Sequence, residues 1–330
     1  METALELVKT SIGDSSLKQN KTFFNGMVGL YSLATVICSN LAYKNRTSKY
    51  FHLLLNHIDD VNLNENQLFN GYSGLVSCIL FVYEHLPDEF EDKSELLPLL
   101  GKYTRRMFSD SMEIKHSLKG YKQFGAAVGL AGILFVLMHD GKLLSEQSHK
   151  AAILSHLEKL VQLNQGGSFP VSDSPFSGEI NDPLRNQWCQ GAPGIIFTLV
   201  KAYNVFGDEK YLKVAEEVAE KIWERGLVLK GANLCHGVCG NAYSFLALYN
   251  ATSNDKKEKY LYYASQFCVA AANPEINCQF IGFPCSRKVM GIPDYPFSLM
   301  EGIAGEACFY LDMLRPSLAQ FPGFGWKDIL

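Results

Sequence analysis

The sequence predicts an all-α protein, an α/α toroid in which helical hairpins alternate between the inner and outer layers of a ring. Three observations carry that prediction. A G-x-x-G unit leading into an apolar helix recurs six times, the copies lie roughly 45 to 65 residues apart, and amphipathic stretches fill the intervals. Each interval has room for one helical hairpin, and recurrence at such a period is the signature of a repeat architecture. A single G-x-x-G is a common accident. Six copies in phase with apolar helices are not.

The copies follow in order. FFNGMVGLYSLA carries Gly26 and Gly29, LFNGYSGLVSCILF carries Gly71 and Gly74, and FGAAVGLAGILFVL carries Gly129 and Gly132. WCQGAPGIIFTLV follows with Gly191 and Gly194, then LCHGVCGNAYSFLALY with Gly237 and Gly240, then LMEGIAGEACFYL with Gly302 and Gly305. These helices are apolar almost all round, as a buried inner layer requires. The stretches between them have one apolar face. In DEKYLKVAEEVAEKIWERGL, Tyr211, Val214, Val218 and Ile222 recur at helical spacing with Glu and Lys opposite. NRTSKYFHLLLNHI and SHKAAILSHLEKLVQL behave alike and form the outer layer. The glycines, lacking a Cβ, are expected to supply turns at positive φ and close approach between neighbouring inner helices.

Two longer connections rich in turn residues, Asn164–Gln187 and Glu275–Ser298, each lead into a glycine pair. They are expected at the rim where the inner helices start, placed to wall a site. No composition shift marks a boundary, so residues 1–330 are expected to form a single domain.

Composition limits the function. The chain is 47% apolar and 19% charged, with a net charge of −4 and no basic run, which excludes disorder and argues against a nucleic-acid partner. Glu2 and Glu6 stand where a secretory signal would carry cations and then an apolar core. The longest apolar run, Phe124 to Met138, is too short to span a bilayer, so no transmembrane segment is expected. Nine scattered cysteines, an odd number set mostly in apolar segments, point to reduced thiols and a cytoplasmic protein. In that compartment the N-x-T sequons at Asn20, Asn45 and Asn250 carry no meaning.

The chemistry gathers at two adjacent copies. Cys189 and Cys235 each lie two residues before the first glycine, so a ring brings them side by side, and His236 follows directly. Two thiols and an imidazole suit zinc, and three protein ligands leave a fourth position open for a substrate. The alternative is that both cysteines are core residues and His236 merely caps a helix. Cys239 lies one turn into its helix; as a ligand it would close the site, and as a small apolar residue it simply packs. Cys38, Cys78, Cys268 and Cys308 read as core, while Cys278 and Cys285 lie in a linker. Lys230 and Arg287 are the cations available to an anionic substrate at this rim.

With these motifs in hand, the chain resembles the lanthionine synthetase C-like family, in its eukaryotic branch. WCQGAPGIIFTLVKAYNVFGDEKYL, LKGANLCHGVCGNAYSFLALYN and PDYPFSLMEGIAG are similar to that family's last three repeats, and GAAVGLAGI to the one before. The resemblance implies a toroid of seven inner and seven outer helices, with six of the usual seven repeats present here. METALELVKTSIGDSSLKQNKTFFNG then looks like the outer helix leading into the second repeat, and by this resemblance the chain is expected to be shortened at its N-terminus.

The resemblance further implies one zinc ion held by Cys189, Cys235 and His236, and addition of the glutathione thiol to dehydroalanine or dehydrobutyrine residues in proteins or peptides. Lys230 falls on the family's glutathione-binding lysine, and Arg287 is the candidate for a second such cation. Two departures bear on turnover. Val128 stands where the family carries the histidine that transfers a proton, and Gln190 replaces the histidine of W-C-H-G. A catalytically weak or inactive zinc-stabilised scaffold that binds glutathione or a protein partner is therefore the rival expectation. A toroidal glycosidase needs paired carboxylates at the rim, and only Glu301 is placed for that.

Overall fold

The computed structural model describes residues 1–14, 21–59, 61–118, 120–174, 185–228, 230–253, 255–273, 295–326 and 328–329. The described residues are mostly helical. In chain order the helices are α1 (Glu2–Gly13), α2 (Met27–Asn40), α3 (Lys44–Asp59), α4 (Tyr72–His85), α5 (Leu96–Arg106), α6 (Leu130–Leu137) and α7 (Gly141–Ser145). They continue with α8 (Gln147–Gln162), α9 (Ala192–Phe206), α10 (Glu209–Arg225), α11 (Val238–Ala251), α12 (Asp255–Ala272) and α13 (Ile303–Met313). The mostly helical expectation holds, with one short hairpin added. Ser117–Leu118 and Tyr121–Lys122 pair antiparallel as β1 and β2, in the long connection between α5 and α6.

Every glycine pair opens an inner helix, as the repeat predicted. In α2, α4, α9, α11 and α13 the first glycine is the N-cap, with φ between −145 and −106 and ψ near −172. Any residue can adopt that extended backbone, so the expectation of positive φ fails at these caps. Space is the reason for glycine. A Cβ on Gly240 would lie 1.8 Å from the Leu234 carbonyl oxygen, six residues earlier, and one on Gly194 would lie 2.1 Å from the Trp188 oxygen. The same overlap with the carbonyl six residues back recurs at Gly29, Gly74, Gly132 and Gly305. The glycines thus seat the incoming turn on the first turn of the helix.

The chain divides into two compact units. The first comprises Met1–His116, Val136–Leu154 and Trp326–Leu330. There α2 packs against α1, α3 and α4, and α5 against α4 and α7. Phe51, Leu54, Ile58, Val76, Ile79 and Tyr103 form its buried interior. Asp140 caps α7 by accepting from the Leu143 N–H at 3.0 Å, and also accepts from the Thr104 hydroxyl at 2.8 Å.

The second unit comprises Ser117–Phe135 and Ser155–Gly325. In it α9 packs against α10 and α11, and α11 against α12 and α13. Helix α9 ends at Gly207, whose φ of +70 is the left-handed stop that favours glycine, and Asp208 then caps α10 by accepting from the Lys210 N–H. The buried face of α10 presents Tyr211, Leu212, Ala215, Val218 and Ile222, close to the stripe read from the sequence. The aromatic centre of this unit joins residues far apart in the chain. Phe321 stacks on Trp188 at 4.5 Å between centroids, and Phe324 on Phe135 at 3.9 Å.

Candidate metal centre

The turns that precede the inner helices of the second unit are tied together by their backbones. Ala127, Cys189, Cys235 and Met300 each lie two residues before the first glycine of their copy. The Ala127 N–H donates to the Cys189 carbonyl at 2.9 Å, the Cys189 N–H to Cys235 at 3.0 Å, and the Cys235 N–H to Met300 at 2.8 Å. Equivalent positions in consecutive copies are therefore adjacent by hydrogen bonding. That ladder is what sets one thiol beside the other.

His236 follows Cys235 and is oriented by its own loop. Its N–H donates to the Asn233 side-chain oxygen at 3.0 Å, and the Asn233 amide donates to the Lys230 carbonyl at 2.8 Å. Gly231 turns the chain between them at φ +78, a conformation that favours glycine. The result is a group of three. The ligand atoms of Cys189, Cys235 and His236 all lie within 4.8 Å of one another, both cysteines are buried, and the imidazole is half-buried.

The donor set fits a zinc ion. Zinc–sulfur bonds of about 2.3 Å and zinc–nitrogen bonds of about 2.0 Å place tetrahedral ligand atoms roughly 3.5–3.8 Å apart, a spacing compatible with three ligand atoms that lie within 4.8 Å of one another. Protonation states favour binding as well. Burial, reinforced by the Lys230 charge, pushes His236 down to about 4, so its ring is neutral near pH 7 and offers a lone pair. A hydrogen bond from Cys235 holds Cys189 below the ordinary thiol range against the opposing effect of burial, with Lys230 and Arg185 helping. Donating that hydrogen bond, together with burial, raises Cys235.

Around the group stand polar residues. The Lys230 ammonium donates to the Gln187 side-chain oxygen at 2.8 Å, and the Arg185 guanidinium donates to the Gln190 side-chain oxygen at 2.6 Å. Val128, Gln190, His236 and Glu301 each immediately precede the first glycine of their copy, so the ladder makes them neighbours in register. The Glu301 charge contributes to raising Cys235.

The structure brings together Cys189, Cys235 and His236 as anticipated and places Lys230 close enough to act on both Cys189 and His236. Arg287, Cys278 and Cys285 lie outside the described residues. Cys239 is fully buried on α11 and outside the group, and burial raises its thiol well above the ordinary value, which fits the packing role. Arg185, Gln187 and Asn233 went unrecognised in the sequence. Their only signal was position, within seven residues before a glycine pair. A second trio, His52, Asp92 and Glu95 in the first unit, also has ligand atoms within 4.8 Å of one another, but His52 and Glu95 are exposed and the trio has no thiol.

Comparison with known proteins agrees with the repeat pattern. The family model described as lanthionine synthetase C-like protein matches residues 1–325. The chain is 31% identical over 338 residues to a Danio rerio protein named glutathione S-transferase LANCL1, covering 98% of this chain and 78% of that one. It is 27% identical over 342 residues to the Arabidopsis thaliana LanC-like protein GCL1, covering 98% and 74%. Among solved structures, nisin cyclase superposes with a TM-score of 0.68 at 16% identity, covering 95% of this chain and 81% of that one. That likeness is one of fold.

Proposed function

This chain belongs to the lanthionine synthetase C-like family, and on that premise we propose that it joins the thiol of glutathione to dehydroalanine or dehydrobutyrine residues of proteins or peptides in a zinc-dependent reaction. The observation that carries the reading is the buried Cys189, Cys235 and His236 group, assembled by a backbone ladder between equivalent turns. The similarity to a protein named for glutathione transfer supports the substrate, and the likeness to nisin cyclase supports the α/α toroid fold.

Three ligands leave one position of a tetrahedral zinc for a substrate, and when bound the ion supplies Lewis acidity that favours the thiolate form of a thiol near neutral pH. The residues of the chain then divide the remaining work. Lys230, and Arg287 with it, bind the carboxylates of glutathione. Cys189 and Cys235, both buried, would hold the ion together with His236, and Asn233 fixes the loop that carries His236. In the reaction the sulfur bonds to the alkene β-carbon, and the proton lost from the thiol is balanced by one gained at the α-carbon. No side chain at this centre is assigned to deliver that proton.

A second reading has a specific observation behind it. At the two positions where the family resemblance leads one to expect histidine, Val128 has no proton to give and Gln190 is a neutral amide held by Arg185. A zinc-stabilised scaffold that binds glutathione or a protein partner without turnover fits those residues. Incubating the zinc-loaded chain with glutathione and a dehydroalanine peptide, beside Cys235→Ala, separates the two. Thioether formed by the wild type and lost in the variant supports the enzyme. Equal product from both, or zinc bound with no product, supports the scaffold.

A further inference from the structure

Arg185 is placed differently from the basic side chains that form ion pairs on the helical surface. Arg105, Lys210, Lys256 and Lys259 each meet a carboxylate in an ion pair. Arg185 donates instead to a neutral amide, that of Gln190, and no carboxylate among the described residues lies within ion-pair distance of it. A guanidinium has five N–H donors in a fixed fork, and an amide oxygen occupies little of that capacity. Among the described residues its positive charge is therefore not cancelled at short range.

Its position is held from both ends. A Cβ on Gly191 would fall 1.8 Å from the Arg185 carbonyl oxygen, so the Arg185 backbone is pressed against the start of α9. At the other end the guanidinium reaches Gln190, which stands in the register position of His236 one copy away and directly follows Cys189. The Arg185 charge also acts on Cys189 itself. A half-buried arginine fixed at Gln190 and close enough to act on Cys189 suits planar anions, which it binds through paired, charge-assisted hydrogen bonds.

We propose that Arg185 is a substrate-binding residue that takes a carboxylate of the thiol substrate, so that the metal centre selects an anionic thiol over a neutral one. The proposal rests on the thiol-addition reading and adds a specificity determinant to it. The carboxylate replaces the Gln190 amide as the acceptor of the guanidinium, a stronger acceptor for the same donor.

The test uses the full zinc-loaded chain, a dehydroalanine peptide, and two thiols, glutathione and the uncharged 2-mercaptoethanol. In Arg185→Gln the ratio of kcat/KM for glutathione to that for 2-mercaptoethanol falls about 10- to 100-fold, through KM, the equivalent of one charge-assisted hydrogen bond. Arg185→Lys recovers part of that ratio. An unchanged ratio overturns the proposal, because an arginine that only supports the fold or the metal affects both thiols alike. If the wild type forms product with neither thiol, the thiol-addition reading fails by itself. Calorimetric titration of glutathione then decides: weaker binding by Arg185→Gln sustains the carboxylate contact, and equal or absent binding removes it.

Discussion

Replacing Gly240 by alanine tests how the metal centre is built. The added Cβ would sit 1.8 Å from the Leu234 carbonyl oxygen, 2.8 Å from its carbon and 3.2 Å from its Cα, all of them backbone atoms. Ordinary carbon–oxygen contact is about 3.3 Å, so the turn must retreat by roughly 1.5 Å, beyond what a packed interior absorbs. Overpacking of that kind costs about 1–3 kcal/mol, to which a lost backbone hydrogen bond adds about 1 kcal/mol. At about 2.1 cal/mol/K per residue over this length, a loss near 3 kcal/mol lowers the melting temperature by roughly 4 °C. Leu234 immediately precedes Cys235 and His236, so the same retreat displaces two of the three ligands, and zinc content falls with stability. The control is Gly207→Ala, where nothing lies within 4 Å of the new Cβ and only the φ of +70 is strained. It costs about 1 kcal/mol and keeps the metal. Scanning calorimetry and metal analysis of both variants decide the matter. A Gly240→Ala protein as stable as the Gly207 control, with full zinc, refutes the close-approach account of the repeat.

Two other outcomes follow from the same residues. Because burial lowers His236 to about 4 from 6.5, the unfolded chain binds the extra proton first, so zinc-free protein loses stability as the pH falls through that window and zinc-loaded protein resists the loss until the ion is released; denaturant titrations between pH 4 and 7 check this, and a flat zinc-free profile contradicts it. Phe321→Ala removes a ring that is 2% exposed and stacked on Trp188, costing about 3–5 kcal/mol in denaturant unfolding, whereas a loss below about 1 kcal/mol would mean the C-terminal aromatics do not close the second unit.

The helical plan was legible because its cause repeats. A close approach demanded at six turns leaves glycine at six fixed offsets, and the apolar helices behind them need no long-range information. The metal trio was legible for the same reason, since equivalent offsets in adjacent copies place Cys189 beside Cys235. Of the two roles expected of the glycines, close approach to a neighbouring copy held at Gly194 and Gly305 and positive φ failed at the caps: a missing Cβ looks the same in sequence whether it permits a positive φ or makes room for other atoms. The β1–β2 hairpin has two residues per strand, too few to show alternation. The Arg185–Gln190 contact and the stacking of Phe321 on Trp188 depend on how connecting segments return to the helices. No local pattern encodes that return.

The central claim is that Cys189, Cys235 and His236 hold one metal ion, and elemental mass spectrometry of the purified chain beside Cys189→Ala tests it most directly. The account predicts about one zinc per chain in the wild type and its loss in a variant that remains folded by circular dichroism. Folded wild-type protein without zinc, or a Cys189→Ala variant that retains the full equivalent, would contradict it.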